Sequence, residues 1–278
     1  MKASEYTKII NNLQDCQRIL KMDGQEEDPS INELIQHYLD LRKPLIEELK
    51  VPADITRKRL SLLTRDSRIK LFNDWRPREA VIEHYVNVIS TLVNWEYPCM
   101  EIFPGDGSCT QHMVGAEPLY IVDWSQELLD KVGSQFHEFY DQKRLMKYVV
   151  EDYDLSSLPQ NSFGLIVCIN WLRFEDIHGL NRLAKAAYDC LMPGGRFLFA
   201  YNSSDFWWGV ENMERGYADG TDSRELISML EGIGFEIILN HQQDANLNHI
   251  LIKKSGEIEY IKASSVLGKH IDRLPDIK

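Results

Sequence analysis

The 278-residue sequence lacks the patterns of several large classes of protein. Its five cysteines form no CxxC pair, and its eight histidines show no HExxH-type spacing, so we expect a reducing compartment and no structural metal. Every apolar run is shorter than the roughly 20 residues that a membrane-spanning helix needs. The first residues also lack a signal-peptide pattern. These absences favour a cytoplasmic protein that is not embedded in a membrane.

An excess of positive charge is also missing. The formal net charge is −12, which argues against broad nucleic-acid binding because such binding relies on a basic surface. Residues 55–70 are locally basic. We interpret that segment as the solvated face of a helix, although a local basic patch remains an alternative.

The N-terminal part of the chain predicts helices and carries no chemical motif. Apolar residues at helical spacing mark one helix over residues 3–22. A capping-box pattern at Ser30 predicts a second helix to about Arg42, and Pro44 is expected to divide the helical pieces that follow. The same apolar spacing over residues 80–93 predicts the helix that leads into the first strand.

From residue 99 onward, strand-like runs alternate with helical ones. This alternation predicts an α/β fold with a mostly parallel sheet covered on both faces. The last two strand-like runs, 236–240 and 249–253, have no helix between them, so we expect an antiparallel hairpin. The other predicted strands are 99–102, 119–123, 145–150, 163–169 and 196–201, and the predicted helices are 125–142, 178–190 and 223–232.

The first strand runs directly into a glycine turn. Cys99–Ile102 is apolar except for Glu101, and Gly105 and Gly107 follow it. A carboxylate is costly to bury without a polar partner, and glycine allows unusual dihedrals or close approach of a ligand. The pattern indicates either a cofactor site or a plain structural turn.

A second acid follows the second predicted strand. Asp123 comes roughly 20 residues after the first strand, the distance at which an acid contacts a ribose in nucleotide-binding α/β units. It could alternatively cap the next helix, although Ser125 is better placed for that role.

Five blocks in order resemble the class I S-adenosylmethionine-dependent methyltransferases. They are Glu101–Gly107, Val122–Leu129, Glu151–Phe163, Leu191–Leu198 and Glu225–Phe235. The similarity covers about residues 78–254. Two positions depart from the family pattern, since Phe103 stands where a glycine is usual and Gly164 where an aspartate is usual. Phe103 is expected to narrow the methionine end of the cofactor pocket.

The resemblance implies a Rossmann-like, seven-stranded, mostly parallel sheet with an antiparallel last strand. It divides the chain into a helical N-terminal extension (1–76), the methyltransferase core (77–255) and a C-terminal tail (256–278). Extensions of this kind cap the substrate pocket or form a dimer contact, so a homodimer through the N-terminal helices is one expectation.

The resemblance also implies S-adenosyl-L-methionine as cofactor. The residues carried over to its site are Glu101, Phe103, Gly105, Gly107, Asp123, Trp124, Asp152, Tyr153 and Asn170. Asp123 would bind the ribose and Asp152 the adenine amino group. For Trp124 and Tyr153, packing in the core is an equal alternative.

Aromatic residues after the fourth and fifth strands are candidates for binding the methyl acceptor. They are Trp171, Tyr201, Trp207 and Trp208. Packing of the last two against the N-terminal helices is an equal alternative. No catalytic base is assigned, because some members of the family use a general base whereas others accept an already deprotonated acceptor. His178 is a possible base, but its place at a helix start suits capping equally well.

The expected function is methyl transfer to a small molecule or a protein side chain. The strand-end sequence Asn170–Arg173 lacks the NPPY-like motif of amino-directed DNA methyltransferases, so a nucleic-acid base is a poor candidate acceptor. A non-catalytic binding or assembly subunit is the main alternative. A nicotinamide-dependent oxidoreductase is a weaker one.

Overall fold

A computed structural model describes residues 1–50, 79–136, 144–169, 171–216, 218–241 and 248–258. The basic segment 55–70, Asn170 and nearly all of the predicted C-terminal tail lie outside these ranges. The helices are α1 (Ala3–Met22), α2 (Pro29–Leu49), α3 (Glu79–Leu92), α4 (Gln126–Gln135), α5 (Ile177–Cys190), α6 (Trp207–Glu214) and α7 (Ser223–Ile233). None of these helices combines the length and apolar composition needed to cross a bilayer.

Seven strands of the described ranges form one sheet in the order β3-β2-β1-β4-β5-β7-β6. They are β1 (Cys99–Ile102), β2 (Leu119–Asp123), β3 (Leu145–Val149), β4 (Phe163–Cys168), β5 (Leu191–Tyr201), β6 (Phe235–His241) and β7 (Asn248–Lys254). All neighbours pair in parallel except those of β7, which is antiparallel to both β5 and β6. The predicted fold class, with its antiparallel last strand, is confirmed.

Helices cover both faces of this sheet because its strands carry apolar side chains on both sides. In β1, Met100 and Ile102 belong to the cluster beneath α5 and α7, whereas Cys99 belongs to the cluster beneath α3 and α4. A central parallel strand is buried on both faces and therefore reads as a continuous apolar run.

Helix α2 differs from its prediction at both ends. Asp28, not Ser30, is its N-cap, and the Asp28 carboxylate accepts from the Ser30 backbone N–H. The helix continues through Pro44, although proline normally interrupts a helix. Beyond Pro44, the buried side chain of Ile46 packs with Ala3 and with residues of α6. Tertiary packing of this kind offsets the lost hydrogen bond.

The connection from β1 to β2 contains only a short 3₁₀ turn, Thr110–His112. The helix before β1 covers the sheet here instead, since Ile89 of α3 packs in the same cluster as Met113. The glycine turn after β1 is therefore followed by loop rather than by an α-helix.

Candidate active site

The ends of β1 and β2 meet at the centre of the sheet. The two strands are parallel, with Ile102 opposite Val122, and the Phe103 N–H donates to the Val122 carbonyl at 2.7 Å. Strand order reverses between β1 and β4, and ligands of open α/β sheets bind at such a reversal, beyond the carboxyl ends of the strands. Phe103 and Asp123 therefore stand at the edge where a ligand is expected.

The turn after β1 has the backbone that its glycines predict. Gly105 and Gly107 adopt φ of 63° and 87°, values that favour glycine. A Cβ on Gly107 would lie 3.2 to 3.4 Å from side chains of Val132, Gln135 and Phe136. Gly107 is thus also needed for the close approach of the turn to α4.

Glu101 lies buried behind this turn. Its carboxylate accepts a hydrogen bond from the Thr110 hydroxyl at 2.5 Å. Burial raises the pKa of Glu101 to about 8, and the bond from Thr110 acts in the opposite direction. Glu101 is therefore largely protonated at neutral pH, and its hydrogen bond links β1 to the 3₁₀ turn.

Asp123 ends β2 and is only 2% exposed. Its carboxylate accepts from the Ser125 N–H at 2.8 Å, while the Ser125 hydroxyl accepts from the Leu128 N–H and caps α4. The alternative role of helix cap thus falls to Ser125. The carboxylate of Asp123 is the acidic group that the strand end presents.

Four aromatic rings pack together at this edge of the sheet. Phe103, Trp124, Tyr153 and Trp171, here called the aromatic cluster, follow β1, β2, β3 and β4. The Phe103 ring lies 4.6 Å from Trp124, 5.9 Å from Tyr153 and 5.6 Å from Trp171, measured between centroids. The structure therefore brings together four of the predicted site residues in one contact group.

Glu175 completes the cluster and was not predicted from the sequence. It is 2% exposed, and its carboxylate accepts from the Trp171 indole N–H at 3.0 Å. The same indole N–H lies 2.9 Å from the Tyr153 hydroxyl. Glu175 comes four residues after Trp171 and just before α5, where an acid usually lies exposed at the start of a helix. Its sequence position therefore did not indicate that its side chain is buried.

Asp152 lies outside the cluster, at the protein surface. Its carboxylate accepts from Arg182 at 2.7 Å, and both side chains are substantially exposed. The same guanidinium lies 5.6 Å above the Tyr153 ring. In this arrangement, Asp152 is held by a cation rather than directed into the cluster.

Three of the four predicted acceptor-binding residues lie apart from the cluster. Tyr201 is fully buried, and its hydroxyl lies 3.1 Å from Ser223 Oγ and donates to Asn240 at 3.2 Å. Trp208 is buried and stacks on Phe206. Trp207 is 39% exposed, with the Lys8 ammonium 5.3 Å from its ring.

A cavity of about 460 Å³ opens between α2 and the start of α7. Ser204, directly after the end of β5, contributes to its wall, and so do Arg42 and Arg224. Its volume lies within the range of small-molecule sites. In the ranges that the structure describes, no group of three or more His, Cys, Asp or Glu side chains could hold a metal ion.

The segment that carries this site is similar to a known family model. Residues 101–199 match a family model described as a methyltransferase domain. No curated protein is significantly similar to the chain. Among solved structures, similarity extends to magnesium protoporphyrin IX methyltransferase (ChlM) from Synechocystis PCC 6803 with bound SAH, at a TM-score of 0.52 and 12% identity over 63% of this chain and 83% of that one.

Two other similar structures have the same fold at low identity. One is an S-adenosylmethionine-dependent methyltransferase from Clostridium acetobutylicum ATCC 824, at a TM-score of 0.50 and 15% identity, covering 66% of this chain and 92% of that one. The other is the [4+2]-cyclase SpnF, at a TM-score of 0.50 and 12% identity, covering 63% and 81%. At these identities the structures establish the fold alone.

The fold defines a Rossmann-like α/β protein whose strand order reverses between β1 and β4, the place where ligands of open α/β sheets bind. Residues 101–199 match the methyltransferase-domain family model, and the sheet around them has the fold of the S-adenosylmethionine-dependent methyltransferase from Clostridium acetobutylicum. The five sequence blocks that resemble the class I methyltransferases imply S-adenosyl-L-methionine as the cofactor. The acid at the end of β2 and the glycine turn after β1 have the chemistry that a ribose diol and a closely approaching cofactor require, so these residues fit the group.

Proposed function

We propose that this chain is an S-adenosylmethionine-dependent methyltransferase acting on a small molecule. The observation that carries the proposal is Asp123, a buried carboxylate at the end of β2 beside the glycine turn. A carboxylate there accepts hydrogen bonds from two vicinal ribose hydroxyls. The family match over this same segment supports that role.

The chain's own residues supply binding and orientation. When bound, the cofactor supplies a sulfonium methyl group to a nucleophile in an in-line displacement. Gly105 and Gly107 allow the turn to approach the cofactor, and the rings of Trp124 and Trp171 form apolar walls that exclude water. Exclusion of water and alignment of the acceptor are the main contributions that such a protein makes to the rate.

We further propose that the acceptor enters beside α2, through the cavity near the end of β5. Four cationic and four anionic side chains line this cavity, together with Leu39 and Ile46. Such a lining fits a polar small molecule better than an extended apolar one. In this proposal, the N-terminal helices form the cap of the acceptor site.

Calorimetric titration with S-adenosylmethionine, S-adenosylhomocysteine and NAD tests the proposed function. We expect micromolar binding of the first two and no binding of NAD. Asp123→Asn keeps an acceptor oxygen for the Ser125 N–H but removes the charge, and it should weaken binding at least tenfold. The matched control is Asp130→Asn, which changes an exposed acid on α4. Equal affinities of the two variants would count against the proposal.

A non-catalytic binding or assembly subunit is the second candidate. The observation that favours it is the enclosure of Asp123 and Phe103, which are 2% and 4% exposed. Folds host unrelated functions. Cofactor binding without formation of S-adenosylhomocysteine across a broad acceptor screen would favour this candidate over the enzyme.

A further inference from the structure

The aromatic cluster fills the crevice in which the cofactor is expected. Phe103 and Tyr153 are 4% and 3% exposed, and Asp123, which precedes Trp124 of the cluster in the chain, is 2% exposed. A carboxylate enclosed to this degree cannot receive hydrogen bonds from a ribose unless a neighbouring side chain moves. The described arrangement is therefore closed to the ligand.

Phe103 occupies the centre of the closed arrangement. Its ring contacts the other three rings of the cluster, which come from the ends of three different strands. Trp171 also contacts Trp124, at 4.5 Å between ring centroids, and its indole N–H lies 2.9 Å from the Tyr153 hydroxyl. These three residues therefore stay in contact with one another when the Phe103 ring leaves. Phe174, for comparison, lies at the margin of the cluster, where its ring is 5.7 Å from that of Trp171.

The backbone of Phe103 is unusual for a bulky residue. Its φ is 57°, in the left-handed region that side chains with a Cβ rarely adopt. An outlier of this kind at a strand end is a sign of function, because the surrounding structure must compensate for its strain. The main chain is fixed by the hydrogen bond from its N–H to Val122. The ring can therefore leave by rotation of the side chain while the turn stays in place.

We propose that the Phe103 ring is a displaceable plug of the cofactor crevice and that Phe103 thereby sets the affinity of this chain for S-adenosylmethionine. This inference rests on the proposed function. In the closed state the ring packs in the aromatic cluster. In the bound state it has left the cluster, and Asp123 is accessible to the ribose.

Two tryptophans in the cluster provide a direct readout. Trp124 and Trp171 both contact the Phe103 ring, so departure of the ring changes the surroundings of their indoles. Stopped-flow fluorescence on mixing with S-adenosylmethionine should therefore follow the displacement itself. We expect the observed rate of the wild-type chain to reach a plateau at high ligand concentration, because opening then limits the rate.

Substitution of Phe103 tests the plug. Phe103→Gly restores the residue that suits φ of 57°, and Phe103→Ala removes the ring with a smaller change in the backbone. Both variants should bind S-adenosylmethionine at least tenfold more tightly than the wild type in calorimetry. Their stopped-flow rates should rise linearly with concentration. Phe174→Ala, which removes a buried ring at the margin, is the matched control and should keep the wild-type plateau.

The outcomes separate the plug from the proposed function. If the wild type binds S-adenosylmethionine and both Phe103 variants bind it no more tightly, the proposal of a plug is wrong and the proposed function stands. If neither the wild type nor the variants bind, both are wrong. Binding by the variants alone supports both. Circular dichroism identifies a variant that fails to fold. In that case, the affinity of the other Phe103 variant and the plateau in the wild-type rate decide whether the ring acts as a plug.

Discussion

Asn248 is a buried amide whose side chain has no hydrogen-bond partner within the described part of the chain. It is fully buried and pairs with Tyr201 in the sheet. An unsatisfied buried polar group costs about 1–3 kcal/mol. Another buried amide, Asn202, donates to the carbonyls of Gly209 and Asp219. We therefore expect the side chain of Asn248 to lower the stability of the fold and that of Asn202 to raise it.

Asn248→Leu should increase the free energy of unfolding by about 1–2 kcal/mol, because an apolar group of similar size needs no partner. Asn202→Leu should decrease it, since two carbonyls lose their donor. Urea denaturation of both variants measures the difference. Destabilisation of similar size in the two variants would contradict the conclusion that Asn248 is unsatisfied and Asn202 is satisfied.

Glu101 should make stability depend on pH. Its folded pKa of about 8 lies above the ordinary glutamate value of 4.5, so the folded state binds a proton more tightly than the unfolded state does. Below about pH 4.5 both states are protonated, and between there and pH 8 stability falls as pH rises. The maximum slope is about 1.4 kcal/mol per pH unit.

Glu101→Gln removes this titration. Its stability relative to the wild type should therefore increase from about pH 5 to pH 8 and then level off. Urea denaturation at intervals over pH 5–9 checks the trend. A difference that stays constant over this range would mean that Glu101 titrates normally in the folded state.

At the scale of elements, the ring of Tyr97 packs against the start of β4 at Gly164, the position where an aspartate is usual in the family. A Cβ on Gly164 would lie 2.2 Å from Cδ2 of the buried Tyr97. The Tyr97 hydroxyl donates to the Leu92 carbonyl at the end of α3. The aspartate that the family usually has at position 164 is therefore sterically incompatible with this packing.

Gly164→Ala should destabilise the chain by about 1–3 kcal/mol, as overpacking of a core does. Tyr97→Ala removes the obstructing ring and should be destabilising by itself. The double variant should be less destabilised than the sum of the two single changes, because the clash is then absent. Additive effects in chemical denaturation would show that the two positions do not contact each other.

At the scale of the whole molecule, the N-terminal helices are attached to the segment after β5. Asn11 of α1 donates to the Asp205 carbonyl at 2.9 Å and accepts from the Trp207 N–H at 3.2 Å. The Ser4 hydroxyl donates to Glu214 at 2.8 Å, and Arg42 of α2 donates to the Ser204 carbonyl. These bonds position the helices beside the proposed acceptor cavity.

Asn11→Ala removes both bonds from α1 and should increase amide hydrogen exchange in α1 and in α6. The expected loss of local stability is about 1–2 kcal/mol, the value of two hydrogen bonds. Asn12→Ala, at the neighbouring exposed position, should leave exchange unchanged. If exchange is unchanged in both variants, apolar packing alone holds the helices.

Much of the core could be predicted because its signals are local. The apolar run of β1, the turn at Gly105 and Gly107 and the acid at Asp123 depend on neighbouring residues, and the structure places them at one sheet edge. Helix α2 shows the limit of this reasoning, since Pro44 does not end it. A single proline has a fixed local cost, but packing by a distant residue can exceed that cost.

The sequence by itself therefore determined the fold class, the order of the strands and of every described helix except α6, and the acid and glycines of the strand ends. Only the tertiary structure decided which side chains meet there. It placed Phe103 within one ring cluster, buried Glu175 beneath Trp171 and directed Asp152 to Arg182. These contacts join residues from separate strands and helices, and the sequence spacing between such residues carries no information about the direction of their side chains.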